Sequence, residues 1–346
     1  MAEEKPQYLR ILRLFFWELC LLFWGDVVEN EYAKFKSLCS AGLKETKENL
    51  FFVNDVIEKG LEIEVQNGFY QVIEPLEPLS TDLICLQLSP EVKKKIAFLK
   101  IFYQVDSTND LLIKEKLNRS NAFSILLAEY QSNGKGRRDR KWISPIGTNI
   151  YLSIKFIQLS SDKIHLLPLL TGIEVCKCLS QALDVDCQIK WPNDIYLDGR
   201  KLGGILIESR YNSYSGHEVV VGLGLNVNML ANDKIDQSWI SLRTKLGKYF
   251  NRNRLTSSLI SRLIERYSNI SQLDALKFVS EWQEHDFLLG RNINVIEDNV
   301  SYRAIAKGIS EDGALLIEYY DKAQYKVSKT KITKTLLSAD VSVRKA

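Results

Sequence analysis

Histidine is scarce in this chain and its cysteines form no pattern. Three histidines (His165, His217, His285) and six cysteines (Cys20, Cys39, Cys85, Cys176, Cys178, Cys187) are scattered, with no CxxC pair. No zinc-binding spacing can be assembled from them. No Ser, Cys and His stand in a recognisable triad signature either. Dispersed thiols without a framework read as reduced cysteines of a cytoplasmic protein. Glycine (18) and proline (7) are too few for a collagenous or low-complexity chain. There is no GxxxxGK[ST] phosphate loop. A long uncharged apolar run is missing too. The densest stretch, Leu9 to Trp24, is interrupted by Arg10, Arg13 and Glu18, so no uncharged piece reaches the ~18–20 residues a bilayer span needs. The chain opens Ala2-Glu3-Glu4, whereas a signal peptide opens basic. That stretch reads as a buried helix, with no membrane partner.

What is present is ordinary globular material: 346 residues, 45% apolar and 26% charged, enough for two or three domains. The net charge of +3 hides an asymmetry. Residues 1–80 carry eight Lys/Arg against fourteen Asp/Glu, a net of −6, which leaves +9 for the remainder. An acidic head and a basic body point to different partners.

Residues 8–38 read as helical. Lys44 to Glu58 places Leu50, Val53, Val56 and Ile57 at a helical spacing, with Gly60 as a stop. Leu61–Val65 alternates as a strand, Asn67-Gly68 is a two-residue hairpin turn, and Phe69–Val72 returns. Helices followed by a hairpin suggest a small winged helix, and Glu74-Pro75-Leu76-Glu77-Pro78 reads as a linker. From about residue 95, strands are expected at Ile101–Val105, Ser124–Glu129, Asn149–Phe156, Asp186–Lys190, Asp194–Leu197, Gly204–Ser209 and Glu218–Asn226. Long helices are expected at Lys163–Leu183 and Leu255–His285. Such interleaving predicts a mixed sheet with helices. Beyond Leu289, short strands and the Glu311-Asp312-Gly313 turn predict a small β-barrel.

The densest chemical signal is Gly134-Lys135-Gly136-Arg137-Arg138-Asp139-Arg140-Lys141-Trp142. Glycines let a backbone approach a ligand, arginine forks suit phosphate or carboxylate oxygens, and a Trp offers a flat surface. The competing readings are a solvated basic turn and a nucleic-acid patch. Lys190-Trp191-Pro192-Asn193-Asp194 ends a strand with an ammonium that either points into a pocket or lies on the surface. Lys201-Leu202-Gly203-Gly204-Ile205-Leu206-Ile207-Glu208 enters one strand through paired glycines, and Gly222-Leu223-Gly224 sits in another that ends at Asn226. Paired glycines in strands mark close backbone approach. Asp106-Ser107-Thr108-Asn109 can cap a helix or bind a small polar ligand.

In this order these segments, together with Ala128-Glu129-Tyr130-Gln131, closely resemble the biotin protein ligase family, in its three-domain bacterial, BirA-type form. The resemblance spans about residues 100–330. It implies an α+β protein: a winged-helix-like domain over 1–78, a catalytic mixed sheet with helices over 79–286, and an SH3-like barrel over 287–346. It implies ATP-dependent formation of biotinyl-5′-adenylate and transfer of the biotinyl group to a lysine of the biotin carboxyl carrier protein of acetyl-CoA carboxylase. Biotin and MgATP are the implied substrates, and the Mg²⁺ ligands are left unknown.

By the same resemblance Ser107, Thr108, Asn109, Gln131, Lys135, Gly136, Arg137 and Lys190 surround biotin. Arg138, Arg140, Trp142, Asn193 and Asn226 surround ATP or the adenylate, with Trp142 stacking on adenine. Lys190 and Arg137 carry the chemistry. Lipoate ligases share the general fold, but the Gly-Lys-Gly-Arg-Arg loop favours biotin. Two departures stand out: the family has Arg where this chain has Lys135, and usually Gly where it has Asp139. Asp139 is expected to pair with Arg138 or Arg140. The long form also binds an operator as a dimer. Here the helix offered to DNA carries Lys44 and Lys47 against Glu45, Glu48, Asp55 and Glu58. Operator binding and a head kept for packing both remain open, as does a homodimer through the central sheet.

Overall fold

A computed structural model describes residues 30–74, 76–115, 122–158, 163–213, 216–297, 300–320, 331–337 and 342–345. The apolar stretch Leu9–Trp24, Cys20 and the first part of the expected N-terminal helices lie outside the described residues.

The head begins with a helix over residues 30–40 (α1), then β1 (Leu43–Lys44), α2 (Lys47–Glu58), β2 (Ile63–Gln66) and β3 (Phe69–Val72). Thr46 caps α2 by accepting from the Asn49 amide at 3.2 Å. Asn67 (φ 52°) and Gly68 (φ 76°) take the two left-handed positions of the β2–β3 turn, as their residue types predict. The three strands pair in the order β1-β3-β2. The buried face of α2 differs from the expected one. Phe52, Val53 and Val56 pack inward, with Phe35, Leu38, Leu61 and Tyr70. Leu50 and Ile57 fall at the edge of that face and are exposed, as is Phe51.

Two short helices, α3 (Thr81–Gln87) and α4 (Pro90–Lys95), lead into the central unit. Its strands are β4 (Ile96–Val105), β5 (Phe123–Gln131), β6 (Ile150–Gln158), β7 (Gln188–Lys190), β8 (Asp194–Leu197), β9 (Arg200–Asn212) and β10 (Gly216–Leu225). They form one sheet in the order β4-β5-β6-β10-β9-β8-β7. Only β4–β5 is parallel; the other neighbours in this sheet are antiparallel. A short helix, α5 (Thr108–Lys114), lies across one face. The other face carries α6 (Leu167–Leu183), α8 (Arg252–Ser268) and α9 (Ala275–Gln283), after a small α7 (Leu242–Leu246). β5 and β6 are buried on both faces along most of their length, which is why they read as continuous apolar runs. The expected continuous helix over Leu255–His285 is broken. A 3-10 turn at Ile270–Gln272 interrupts it, and Asp274 starts α9 afresh by accepting from the Lys277 amide at 2.9 Å.

The stretch Ile164–Leu183, α6 with the turn before it, is long and apolar enough to cross a bilayer. Two thirds of it (67%) is buried inside the protein, so it serves as the core helix. Its Leu167, Leu170 and Ile173 pack with Leu127, Leu152, Leu223 and Leu263, each fully buried or nearly so. Burying such a side chain is worth about 1.5–3 kcal/mol. This core runs on into β11 (Asn292–Glu297), β12 (Val300–Ile309) and β13 (Leu315–Tyr320). With β14 (Lys331–Leu336) and β15 (Ser342–Lys345) they form a five-stranded antiparallel sheet, ordered β14-β13-β12-β11-β15. The head, by contrast, is sealed to the central sheet by Tyr103 and Ile146 and by a buried polar bolt. Glu129 of β5 pairs with Arg252 of α8 at 2.7 Å, both fully buried, and accepts from the Leu79 amide at 2.6 Å. The Tyr32 hydroxyl of α1 lies 3.4 Å from Glu129. Removing one partner of such a pair costs about 3–5 kcal/mol.

Candidate active site

One open cavity of about 1000 Å³ lies where β5, β9 and β10 meet α5 and the loop 133–142. Of the residues expected to bind ligand, Ser107, Thr108, Asn109, Gln131, Lys135, Gly136, Arg137, Arg138, Arg140, Trp142, Lys190, Asn193 and Asn226 all line it. Lys201, the first residue of the Lys201–Glu208 motif, lines the same cavity, as do Tyr196 and Trp239, which sequence reasoning did not single out. Tyr196 and Trp239 come from the end of β8 and from the segment after β10, and only the fold brings them there.

One wall is polar and tightly wired. Ser107 caps α5, accepting from the Asp110 amide at 3.4 Å. Thr108 donates from both its amide (2.9 Å) and its hydroxyl (3.1 Å) to Gln131 Oε1. Gln131 Nε2 then donates to Ser144 at 3.0 Å. Asn109 donates to Glu208 at 2.9 Å. Its Oδ1 sits where Gly222 leaves room: a Cβ on Gly222 would stand 2.4 Å from that oxygen. The run 106–109 therefore both caps a helix and lines the cavity.

The loop is a short hairpin. Gly136 donates to the Arg140 carbonyl at 2.7 Å, and Trp142 donates to the Gly134 carbonyl at 2.8 Å. The Gly136 amide is thus committed within the hairpin and is not offered to an anion. The tip residues Arg138 (φ 55°) and Asp139 (φ 57°) are both left-handed. Asp139 pairs with neither Arg138 nor Arg140 among the described residues. Its field is felt instead at Lys135. Lys135 reaches across to Asp110 of α5 at 2.6 Å, and that hydrogen bond holds its ammonium above the usual lysine range. Arg137 donates to Asn193 Oδ1 at 3.4 Å. Burial, then the neighbouring Arg138, push the Arg137 guanidinium down, while Asp194 opposes them. Cations crowded to this degree favour an anionic ligand.

The floor is aromatic. Gly204 and Gly224 face each other across β9 and β10, and the Trp142 indole lies over them. A Cβ on Gly224 would stand 2.5 Å from that ring, and one on Gly204 3.2 Å. Lys201 sits 5.5 Å from the ring centre and pairs with Asp194 at 2.9 Å. The Trp142 indole N–H is buried, with no hydrogen-bond acceptor among the described residues.

Lys190 ends β7, 3.5 Å from the Tyr196 hydroxyl. Burial, then Asp194, push that phenol up to about 12. The next residue, Trp191, is buried and donates to the Gly313 carbonyl at 3.0 Å. Asn193 and Asn226 face the cavity while bracing its walls, Asn193 on the Ile205 carbonyl (2.8 Å) and Asn226 on the Ile240 carbonyl (3.2 Å).

A polar pocket, an aromatic platform and a cationic flap in one cavity define a protein that brings two small anionic reactants together. Comparison with known proteins gives that class its name. The model of the biotin/lipoate A/B protein ligase family matches residues 101–226, and that of the biotin protein ligase C-terminal domain matches residues 288–344. The bifunctional ligase/repressor BirA of Salmonella typhimurium is 33% identical over 252 residues, covering 72% of this chain and 76% of that protein. BirA of Escherichia coli is 33% identical over 253 residues, with the same shares. The solved biotin protein ligase of Aquifex aeolicus, in complex with biotin and ATP, superposes with a TM-score of 0.59 at 25% identity, covering 72% of this chain and all of that one. The chain belongs to the biotin protein ligase family.

Proposed function

We propose that this protein activates biotin with ATP and transfers the biotinyl group to a lysine of the biotin carboxyl carrier protein of acetyl-CoA carboxylase. The observation that carries the reading is convergence. The polar wall of Ser107, Thr108, Asn109 and Gln131, the cationic hairpin and Lys190 line a single cavity. In the first step a biotin carboxylate oxygen attacks the α-phosphorus of ATP, and pyrophosphate leaves. Carboxylate and triphosphate repel each other. Lys190 and Arg137, with Arg138 and Arg140 further out, offset that repulsion and the charge that builds at phosphorus. The ureido ring of biotin needs donors and acceptors, which the wall supplies. Trp142 and Trp239 offer flat surfaces to adenine, and Asn193 and Asn226 stand beside them. Mg²⁺ enters with the nucleotide as MgATP. Among the described residues no three His, Cys, Asp or Glu are placed to hold a resident ion.

In the second step the neutral carrier amine attacks the mixed anhydride and AMP leaves. Water would attack the same carbon, so the hairpin must cover the intermediate until the carrier arrives. The reading places the protein in the cytoplasm, where ATP is supplied. It divides the chain into a winged-helix-like domain to residue 78, a ligase domain to 286 and an SH3-like barrel beyond. The outer edge of β4, at the end of the central sheet, is the surface available to a homodimer.

Purified protein with ATP, biotin and a carrier domain is expected to give a streptavidin-reactive carrier band. The band should vanish without ATP, or when the carrier lysine is replaced. No band, or activity with lipoate alone, overturns the reading. The helix and hairpin of the head and the bifunctional relatives raise a second role as an operator-binding repressor, against which stands the acid excess of residues 1–80. Footprinting with and without biotin and ATP tests it.

A further inference from the structure

β6 carries one residue that an apolar core does not predict. Lys155 is fully buried in the middle of a sheet, where an unpaired ammonium is costly. Its partners account for it. Lys155 Nζ donates to the Ile113 carbonyl at 3.3 Å and the Glu115 carbonyl at 2.6 Å, both at the C-terminal end of α5. It also pairs with Glu218 of β10 at 2.9 Å. Glu218 is shared with Arg210 of β9 at 3.1 Å. Burial pushes the Glu218 carboxyl up, but the two cations outweigh it and hold it below the usual range. Lys155 thus gives partners to carbonyls that a helix end leaves unsatisfied, with the charge sign that end prefers.

Two residues earlier on the same face of β6 is Ser153. Its hydroxyl lies 2.8 Å from Thr108 Oγ1 and 2.6 Å from Asn109 Oδ1. α5 is therefore gripped at both ends by one strand: Ser153 at the end that lines the cavity and Lys155 at the far end. Seven residues make less than two turns, too little for a helix to hold its own shape.

We propose that Lys155 is a positioning residue for biotin binding: by fixing the far end of α5 it sets the angle at which Thr108 and Asn109 face the cavity. The inference rests on the proposed ligase activity and deepens it. Lys155 touches no substrate, and its loss should act on the biotin side of the site alone.

The test uses the full chain and titrates biotin by calorimetry, followed by steady-state kinetics. Lys155→Met is expected to weaken biotin binding at least tenfold and to raise the KM for biotin to match. The KM for ATP and the kcat at saturating biotin should stay within twofold. Because Lys155→Met takes the buried cation from Glu218 and leaves it with Arg210 and Asn212, the double variant Lys155→Met/Glu218→Leu is measured beside it. Exchanging a buried ion pair for apolar groups can leave stability intact, so this variant separates folding from positioning. It is expected to melt close to wild type and still bind biotin at least tenfold more weakly. Hydrogen exchange at the α5 amides is expected to quicken in both variants, while β6 stays protected. A folded double variant that binds biotin within twofold of wild type, or unchanged exchange in α5, overturns the proposal. A folded wild-type chain that binds no biotin overturns the ligase reading instead.

Discussion

The hairpin over the cavity and the hairpin of the head turn through the same backbone geometry with opposite materials. The head uses Asn67-Gly68, residues at ease with positive φ; the flap uses Arg138-Asp139, and Arg138 is not. Around its turn the flap gathers Lys135, Arg137, Arg138 and Arg140 over a ligand-sized cavity. Beside its own turn the head exposes Val65 and Phe69, and its second helix exposes Leu50, Phe51 (83% exposed) and Ile57. In the flap local comfort is given up for charge aimed at a site. In the head the turn is relaxed, and the surface beside it is largely apolar, with Lys44 in register with Phe69, fewer cations than the flap brings to phosphate recognition. A shared turn type therefore says little about role; the residues that flank it decide.

The strongest challenge to that contrast is Lys190→Ala. If the cationic side of the cavity carries the chemistry, pyrophosphate release should fall by about 100-fold or more, and a wild-type rate would remove Lys190 from the mechanism. Gly224→Val places a side chain where the Trp142 ring now lies. Overpacking of about 2 kcal/mol should raise the KM for ATP by roughly thirtyfold, with biotin binding little changed. Arg137→Gly deletes a charge-assisted contact worth about 1.5 kcal/mol. Bystander lysines should then be labelled about tenfold more, read by mass spectrometry, as the intermediate escapes. Asp139→Gly relaxes the tip by about 1 kcal/mol and removes an anion from the flap, so the adenylate should be held several-fold longer in a single-turnover release assay. The head should show the smallest response. A short duplex at ordinary salt is expected to bind no more tightly than about 10⁻⁶ M, the range of non-specific contacts. A protected footprint at lower concentration would erase the distinction between the two hairpins.

Much of this was legible from residue order where the signal is local. The strand Asp194–Leu197 and the Asn67-Gly68 turn fall where side-chain alternation and turn chemistry put them. Helices α3 and α4 went unread although Ser80 and Ser89 cap them and Pro90 opens the second. They are too short for a hydrophobic period to register. The break at Ile270–Gln272 was hidden because apolar residues continue across it. In the site, the flap, Lys190 and the 106–109 run were visible as dense motifs. Tyr196 and Trp239 were not, since each is a single residue made relevant only by the fold. Ser153 and Lys155 sit inside a strand that reads as plain core.

The bond from the Trp191 indole to the Gly313 carbonyl joins the residue after Lys190 to a turn of the last sheet. It makes the terminal sheet a brace for the segment that carries Lys190. Shortening the protein before that turn would remove that brace and, in the proposed reaction, let the ammonium drift from its aim. The outermost part of the chain thereby belongs to the working parts of the cavity.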